Sequence, residues 1–278
     1  MARRVAIQGY SGCFHEEAAL RFYGEKLGMD VEVVESDTFD GEFKAMAEGR
    51  ADSAVMAIEN TISGGLLPNY ELLKKYPQRI KGEVYLQIHQ NLMAIPGQRI
   101  EDIKVVRTHY MAINQTRAFF ERECPWITMV ESEDTAKSAM EVAQEGRLGV
   151  GAVAGVAAAQ RYGLEILRPQ IETFKENFTR FLILDDAIKV PIEVINKSSI
   201  CFTLPHKPGS LAHILTILSF YDMNLTRIQS LPIPGRQWQY FFYADIKFAN
   251  YERYRQALSA VRPLIEDLDI LGEYVSAL

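Results

Sequence analysis

The chain has 278 residues, 48% of them hydrophobic and 24% charged, and carries a formal net charge of −6. Such a composition fits an ordinary globular protein that can bury a core without staples, and a length prior of ~150 residues per domain favours two domains. The acidic balance argues against a nucleic-acid partner, and no apolar run approaches the ~20 residues that cross a bilayer.

Cys13, Cys124 and Cys201 are odd in number, far apart and without metal-ligand spacing. They predict reduced thiols and a cytoplasmic protein. Met1-Ala2-Arg3-Arg4 runs into a strand pattern with no secretory core ahead of it. Val5–Gln8 is a short apolar run that stops at Gly9, and a helix pattern begins near His15 with Ala18, Ala19 and Phe22 on one face. A strand, a glycine turn and a helix place backbone N–H groups where an anion can sit, and Ser11 adds a hydroxyl. Cys13, with no assignable histidine partner, reads as a small packing residue.

Val31–Val34 alternates as a strand, with Ser36 or Asp37 as the cap of a helix to about Ala47. Ala54–Ile58 is a buried strand ending in Glu59-Asn60-Thr61-Ile62-Ser63-Gly64-Gly65. Amides, hydroxyls and glycines collect there at a strand's carboxyl end, where open α/β sheets bind ligands. A helix follows over Leu66–Lys74, and Gly82–Ile95 reads as an extended crossover to a second lobe. That lobe repeats the rhythm. Ile103–Val106 is a strand, and Thr108-His109 leads into a helix through Phe120. Trp126–Val130 is a strand, and Ser132, Glu133 or Asp134 caps a helix through Ala143. Leu148–Val150 is a strand, and alanine-rich Gly151–Tyr162 reads as a helix stopped by Gly163. Leu167–Phe174 leads back toward the junction. Glu176-Asn177-Phe178-Thr179-Arg180-Phe181 then opens a buried strand, Leu182–Leu184, and presents a hydroxyl and a guanidinium fork at its mouth.

Alternating βα units predict parallel sheets wound with helices. After a Pro191-containing linker the rhythm changes. Ser199–Leu204, Gly209–Phe220, Asn224–Leu231, Gln239–Phe248, Tyr251–Val261 and Leu268–Val275 read as βαββαβ, a ferredoxin-like order.

Four stretches, in chain order, resemble the prephenate dehydratases. Gly9-Tyr10-Ser11-Gly12-Cys13-Phe14 is similar to that family's N-terminal glycine loop, and Ile58-Glu59-Asn60-Thr61 to its Glu-Asn-Ser motif. Asn177-Phe178-Thr179-Arg180-Phe181 resembles its Asn-x-Thr-Arg-Phe signature. Gly209-Ser210-Leu211 with Asn224-Leu225-Thr226 resembles the phenylalanine-binding ACT domain that commonly follows.

The resemblance implies a catalytic domain over 1–187 with two lobes, similar to periplasmic binding proteins, and crossovers near 80–95 and 168–180. It implies a linker over 188–198 and an ACT domain over 199–278. The implied reaction is the decarboxylating dehydration of prephenate to phenylpyruvate in phenylalanine biosynthesis, with no metal and no organic cofactor. Thr179 and Arg180 would be catalytic. Ser11, Glu59, Asn60, Thr61, Thr135, Asn177 and Phe181 would line the substrate site. Gly209, Ser210, Leu211, Asn224 and Leu225 would hold regulatory L-phenylalanine in a homodimer or homotetramer.

Two departures stand out. Gln90 occupies a position where the family carries histidine, which leaves neighbouring His89 a structural role. Gln229-Ser230-Leu231-Pro232 replaces a Glu-Ser-Arg-Pro segment and loses both charges. Two alternatives accompany the reading: arogenate dehydratase, whose substrate differs by one amino group, and a non-catalytic two-lobed protein that binds a small anion.

Overall fold

The computed structural model describes residues 2–233, 235–236 and 239–278. In chain order the elements are β1 (Arg3–Gln8), α1 (Phe14–Ala19, continued by a π-helical stretch Leu20–Lys26), β2 (Val31–Ser36), α2 (Phe39–Ala47), β3 (Ser53–Asn60), β4 (Gly64–Gly65), α3 (Leu67–Lys75), β5 (Ile80–Gln87) and β6 (Asn91–Ala94). They continue with β7 (Val105–His109), α4 (Tyr110–Glu123), β8 (Thr128–Ser132), α5 (Thr135–Glu145), β9 (Val150–Ala154), α6 (Val156–Tyr162), β10 (Glu165–Arg168) and β11 (Phe178–Leu184). The last are β12 (Lys197–Thr203), α7 (Ser210–Phe220), β13 (Asn224–Pro232), β14 (Tyr240–Lys247), α8 (Tyr251–Val261) and β15 (Asp267–Tyr274).

The chain forms two compact units. The first runs through Gly65 and resumes over Val84–Phe181; the second comprises Leu66–Glu83 and Leu182–Leu278. In the first unit, β11, β3, β1 and β2 lie side by side, with β1 parallel to both β2 and β3. A second sheet has the order β10-β6-β9-β7-β8, with β7 parallel to β8 and β9 and β6 antiparallel to β9 and β10. Two sheets in one unit give the bilobal arrangement expected from the alternating pattern. Two crossovers join them and pair with each other: Ile88 N donates to Asn177 O at 2.7 Å and Ile171 N to Gln90 O at 2.7 Å.

Two local expectations are corrected. Thr38 caps α2, its hydroxyl accepting Gly41 N at 3.1 Å, where Ser36 or Asp37 was expected. The alanine-rich run from Gly151 does not start a helix; Val150–Ala154 is strand β9, and α6 begins only at Val156. The reason is burial. Every residue of β9 is buried between neighbouring strands, and a Cβ on Gly151 would lie 2.9 Å from Met93 O. Small side chains serve close packing in a central strand here, and helix propensity is overridden.

In the second unit β12, α7, β13, β14, α8 and β15 follow the βαββαβ order, and the sheet reads β13-β14-β12-β15, antiparallel throughout. One face packs on α7 and α8 through Ile200, Phe202, Ile214, Leu218, Ile246, Tyr254 and Leu258. The opposite face meets α3, whose Tyr70 ring lies 5.2 Å from that of Tyr243. This face is polar. Lys197, 2% exposed, holds both carboxylate oxygens of buried Glu83 at 2.9 and 2.8 Å. Ser199 bonds Asp245 and also Tyr274 Oη at 2.7 Å.

Candidate functional site

The hydrogen bonds around Asn60 define the site. Asn60 ends β3, and β4 folds back to pair Gly64 with Asn60 and Gly65 with Glu59. In the turn between them, Ile62 N and Ser63 N both donate to Asn60 Oδ1, each at 2.9 Å. Two backbone donors on one oxygen settle which end of the amide is which. The Nδ2 end therefore faces β11, donating to Asn177 Oδ1 at 2.6 Å, Thr179 Oγ1 at 3.0 Å and Phe178 O at 3.2 Å. Thr179 accepts from Asn60, so its own O–H proton is left to point elsewhere. The Thr179 side chain is half-buried.

Thr61 completes the seam. Its N–H donates to Phe178 O at 2.9 Å, its hydroxyl donates to Glu176 O at 3.1 Å, and Phe178 N donates to that hydroxyl at 2.9 Å. Arg180 is 2% exposed and reaches Glu59 Oε1 at 3.4 Å. The guanidinium thus compensates a carboxylate that would otherwise repel an anionic ligand. Phe181 lies beneath, edge-on to the His15 ring at 5.0 Å. His15 Nε2 accepts Ala57 N at 3.3 Å, and burial pushes the imidazole down to about 3, so the ring is neutral with its proton on Nδ1.

The glycine loop adopts its expected turn, with Gly9 and Gly12 at φ of 103° and 93°. Its donors face the chain's own carboxylates. Ser11 N and Oγ both donate to Glu35 Oε1, at 2.7 and 2.6 Å, and Gly12 N donates to Glu16. Beside the loop lies a cavity of about 370 Å³ lined by Gln8, Gly9, Tyr10, Asp37, Glu133, Asp134 and Lys137. Asp134 caps α5 by accepting Lys137 N at 2.8 Å, and burial holds its carboxyl above the usual range. Lys137 pairs with Glu133, which raises the ammonium, and lies 5.2 Å from the Tyr10 ring centre. Thr135 follows Asp134 in the chain but is not part of the cavity wall. The cavity opens at the carboxyl end of β1 and the amide cluster at that of its neighbour β3, so both lie along one sheet edge.

Two residues escaped notice in the sequence. Glu172 is buried in the second crossover, accepting Gln90 N at 2.9 Å and holding His89 Nδ1 at 2.9 Å. Gln115, 7% exposed, accepts Gln90 Nε2 at 3.1 Å. A signal for Gln115 existed: it falls at an inward position of α4 with Ala112, Thr116 and Phe119. Glu172 carries none, since nothing in Gln170-Ile171-Glu172-Thr173 marks a buried carboxylate. In the second unit Gly209 caps α7 at φ 81°, and Leu211 and Leu225 pack against one apolar cluster, while Asn224 opens β13 exposed. Among the described residues no group of three or more His, Cys, Asp or Glu could hold a metal, and no helix is long and apolar enough to cross a membrane.

These features define a two-lobed α/β protein with a threonine hydroxyl held by the Asn60 amide at a sheet's carboxyl edge. A sequence model of prephenate dehydratases matches residues 5–189, and the chain belongs to that family. It is 32% identical to arogenate dehydratase/prephenate dehydratase 1 of Arabidopsis thaliana, over 98% of this chain and 71% of that protein. The crystal structure of a prephenate dehydratase from Arthrobacter aurescens in complex with L-Phe superposes with a TM-score of 0.86 at 26% identity, over 98% of this chain and 89% of that one. A structure of GqqA, described as a novel type of quorum quenching acylase, gives 0.87 at 29% identity, over 99% and 98%.

Proposed function

We propose that this chain converts prephenate to phenylpyruvate, with Thr179 as the donor to the departing hydroxyl. Prephenate carries two carboxylates and a ring hydroxyl. When the ring carboxylate leaves as carbon dioxide, the electron pair of its C–C bond enters the ring and the C–O bond opposite breaks. Aromatisation drives the step, and hydroxide is its poor leaving group. A hydrogen bond from Thr179 Oγ–H stabilises the charge developing on that oxygen, which departs as water with a proton drawn from solvent. The observation carrying this reading is the one-way hydrogen bonding at Asn60, which leaves the threonine proton uncommitted. Asn60 and Asn177 orient the donor, while Thr61, Phe181 and the Arg180–Glu59 pair hold the seam. For Ser11 and Thr135 the family resemblance alone supports a place in the substrate site.

Arogenate is the second reading. Three carboxylates, Asp37, Glu133 and Asp134, line the cavity against one lysine, itself paired. Such a lining favours a substrate bearing an ammonium group. We further infer that the second unit is an ACT-type regulatory domain that binds L-phenylalanine at Gly209, Ser210, Leu211, Asn224 and Leu225. Side-by-side pairing of such domains would give a homodimer or homotetramer, and a reducing cytoplasm suits three buried free thiols.

The test is purified protein given prephenate or arogenate, with aromatic product followed over time and an N-acyl amide as a third substrate. Turnover of prephenate supports the first reading. A higher kcat/KM for arogenate that falls in Asp134→Asn supports the second. Amide hydrolysis without aromatic product would replace both, and binding without turnover would make the chain a small-anion binding protein.

A further inference from the structure

The two crossovers that join the lobes of the first unit differ in length. Between their two backbone pairings the first takes two residue steps, from Ile88 to Gln90, and the second takes six, from Ile171 to Asn177. The surplus chain bulges outward. Residues 173–176 are exposed, while Ile171, Glu172 and Asn177 at the feet of the bulge are buried. Both crossovers and the amide cluster belong to that one unit.

A side chain closes the bulge. Glu172, 2% exposed, turns back onto the first crossover, where it accepts Gln90 N and meets His89 Nδ1, each at 2.9 Å. The two donors belong to successive residues, and a carboxylate has one oxygen for each. Lys175, in the bulge itself, lies 3.6 Å from Glu172 Oε1. Gln87 Nε2 donates to Lys175 O at 2.9 Å and Thr173 N to Gln115 O at 2.8 Å, which brace the exposed part. Burying a carboxylate carries a large desolvation penalty, and a well-packed apolar side chain would stabilise such a place as well or better. What the carboxylate adds is a fixed geometry.

That geometry ends on the amide cluster. Asn177, at the far foot, accepts Ile88 N through its carbonyl and Asn60 Nδ2 through Oδ1, and Asn60 donates in turn to Thr179. Glu176, the last residue of the bulge, accepts the Thr61 hydroxyl at 3.1 Å. We propose that Glu172 is a positioning residue for the Thr179 hydroxyl, clamping the bulged crossover so that Asn177 meets Asn60 in register. The proposal rests on the prephenate dehydratase reading. His89 and the Gln90 backbone are the other half of the clamp. With the clamp gone, Asn177 and Asn60 lose their fixed places, and a donor misplaced by about 1 Å costs up to ~10²-fold in rate.

The experiment compares the full-length protein with Glu172→Ala and Glu172→Gln, each alone and combined with Thr179→Ala. Turnover of prephenate is measured, and amide exchange is followed in peptides covering 59–65 and 171–181. Glu172→Gln keeps the shape and serves both partners once His89 carries its proton on Nε2. Expected for Glu172→Ala is a kcat at least ~10-fold lower with KM within ~3-fold, and faster exchange in both sets of peptides. Glu172→Gln should keep kcat within ~3-fold and leave exchange near that of the unmodified protein. In the Thr179→Ala background, Glu172→Ala should lower kcat by less than ~2-fold more, because a residue that acts through the donor has no effect once the donor is gone. A merely structural residue would lower Tm and leave the kcat of the folded protein unchanged, or would add its full effect to that of Thr179→Ala. Either result overturns the proposal. If Glu172→Ala fails to fold, His89→Ala removes half of the clamp from a partly exposed position, and unchanged kcat and exchange there overturn the proposal instead. An unmodified protein that leaves prephenate intact removes the reaction reading. Exchange then decides alone, and an unaltered 59–65 segment in the Glu172 or His89 variant overturns the clamp.

Discussion

Both compact units bury polar groups, and they hold them by different means. In the first, Asn60, Asn177 and Thr179 form a neutral cluster in which two backbone N–H groups fix the first amide and each later bond follows from it. In the second, Lys197 and Glu83 close on each other as a fully buried ion pair. The difference is one of satisfaction. Glu83 also accepts Ala277 N at 3.1 Å, so this pair and its hydrogen bonds are committed to holding the chain in place. A directional chain of amides ends on a hydroxyl whose proton is still available, which is what a reaction needs.

Breaking the neutral cluster should have the largest effect, and it should appear in rate. Thr179→Ala is expected to lower kcat by ~10²-fold or more with little change in KM, because the lost donor acts chiefly in the transition state. Thr179→Ser, which keeps a hydroxyl, should retain a substantial part. A raised KM at unchanged kcat would make Thr179 a binding residue only.

Breaking the ion pair should appear in stability instead. Lys197→Met leaves Glu83 charged and buried, and should cost about 3–5 kcal/mol by denaturant titration. Lys197→Met combined with Glu83→Leu should recover most of that loss. If the single variant were as stable as the unmodified protein, the pair would not be closed in solution. A related steric test lies beside it: a Cβ on Gly272 would overlap the Ile80 carbonyl, so Gly272→Ala should destabilise the same unit.

The smallest effect concerns a carboxyl that has neither an amide chain nor a cation. Glu42 is fully buried in α2, and burial pushes its pKa well above the usual carboxylate range, with a backbone N–H of Gln8 opposing. A folded pKa raised above the unfolded value means that the folded protein keeps a proton the unfolded chain gives up. Stability is therefore unaffected below the ordinary carboxylate range and falls as pH rises from there toward the folded pKa. Glu42→Gln removes that dependence, so its advantage in Tm should be absent at acid pH and grow toward neutrality. A Tm difference that is flat with pH would show that Glu42 is ionised and solvated.

Much of this was legible beforehand, for physical reasons particular to each place. The strand and helix alternation, the bilobal sheets and the βαββαβ order of the second unit follow from hydrophobic period and turn residues, which are local. The run from Gly151 was misread because alanine favours helix locally, while the strand there is imposed by neighbours on both sides. The cluster residues Asn60, Asn177 and Thr179 stand out as motif positions. Their hydrogen-bond directions do not, because these depend on a turn that brings Ile62 and Ser63 back onto Asn60. The same holds for the glycine loop, whose donors suit an anion but are met here by Glu35 and Glu16, residues on β2 and α1. Glu172 and the Lys197–Glu83 pair were invisible, since burial of a lone charged residue is decided by distant partners.

The central claim is that Asn60 donates to the Thr179 hydroxyl and so leaves its proton to be given to the substrate, and the pH dependence of Asn60→Asp tests it most directly. The new carboxyl would still accept from Ile62 and Ser63. Its second oxygen would face Asn177 Oδ1 and Thr179 Oγ1, and when ionised it would take the threonine proton for itself. When protonated, it could donate to Thr179 as the amide does. The account predicts that kcat of Asn60→Asp approaches the unmodified value at acid pH and falls by ~10²-fold as the new carboxyl ionises, a limb the unmodified protein lacks. A kcat for Asn60→Asp that matches the unmodified protein at every pH would contradict it.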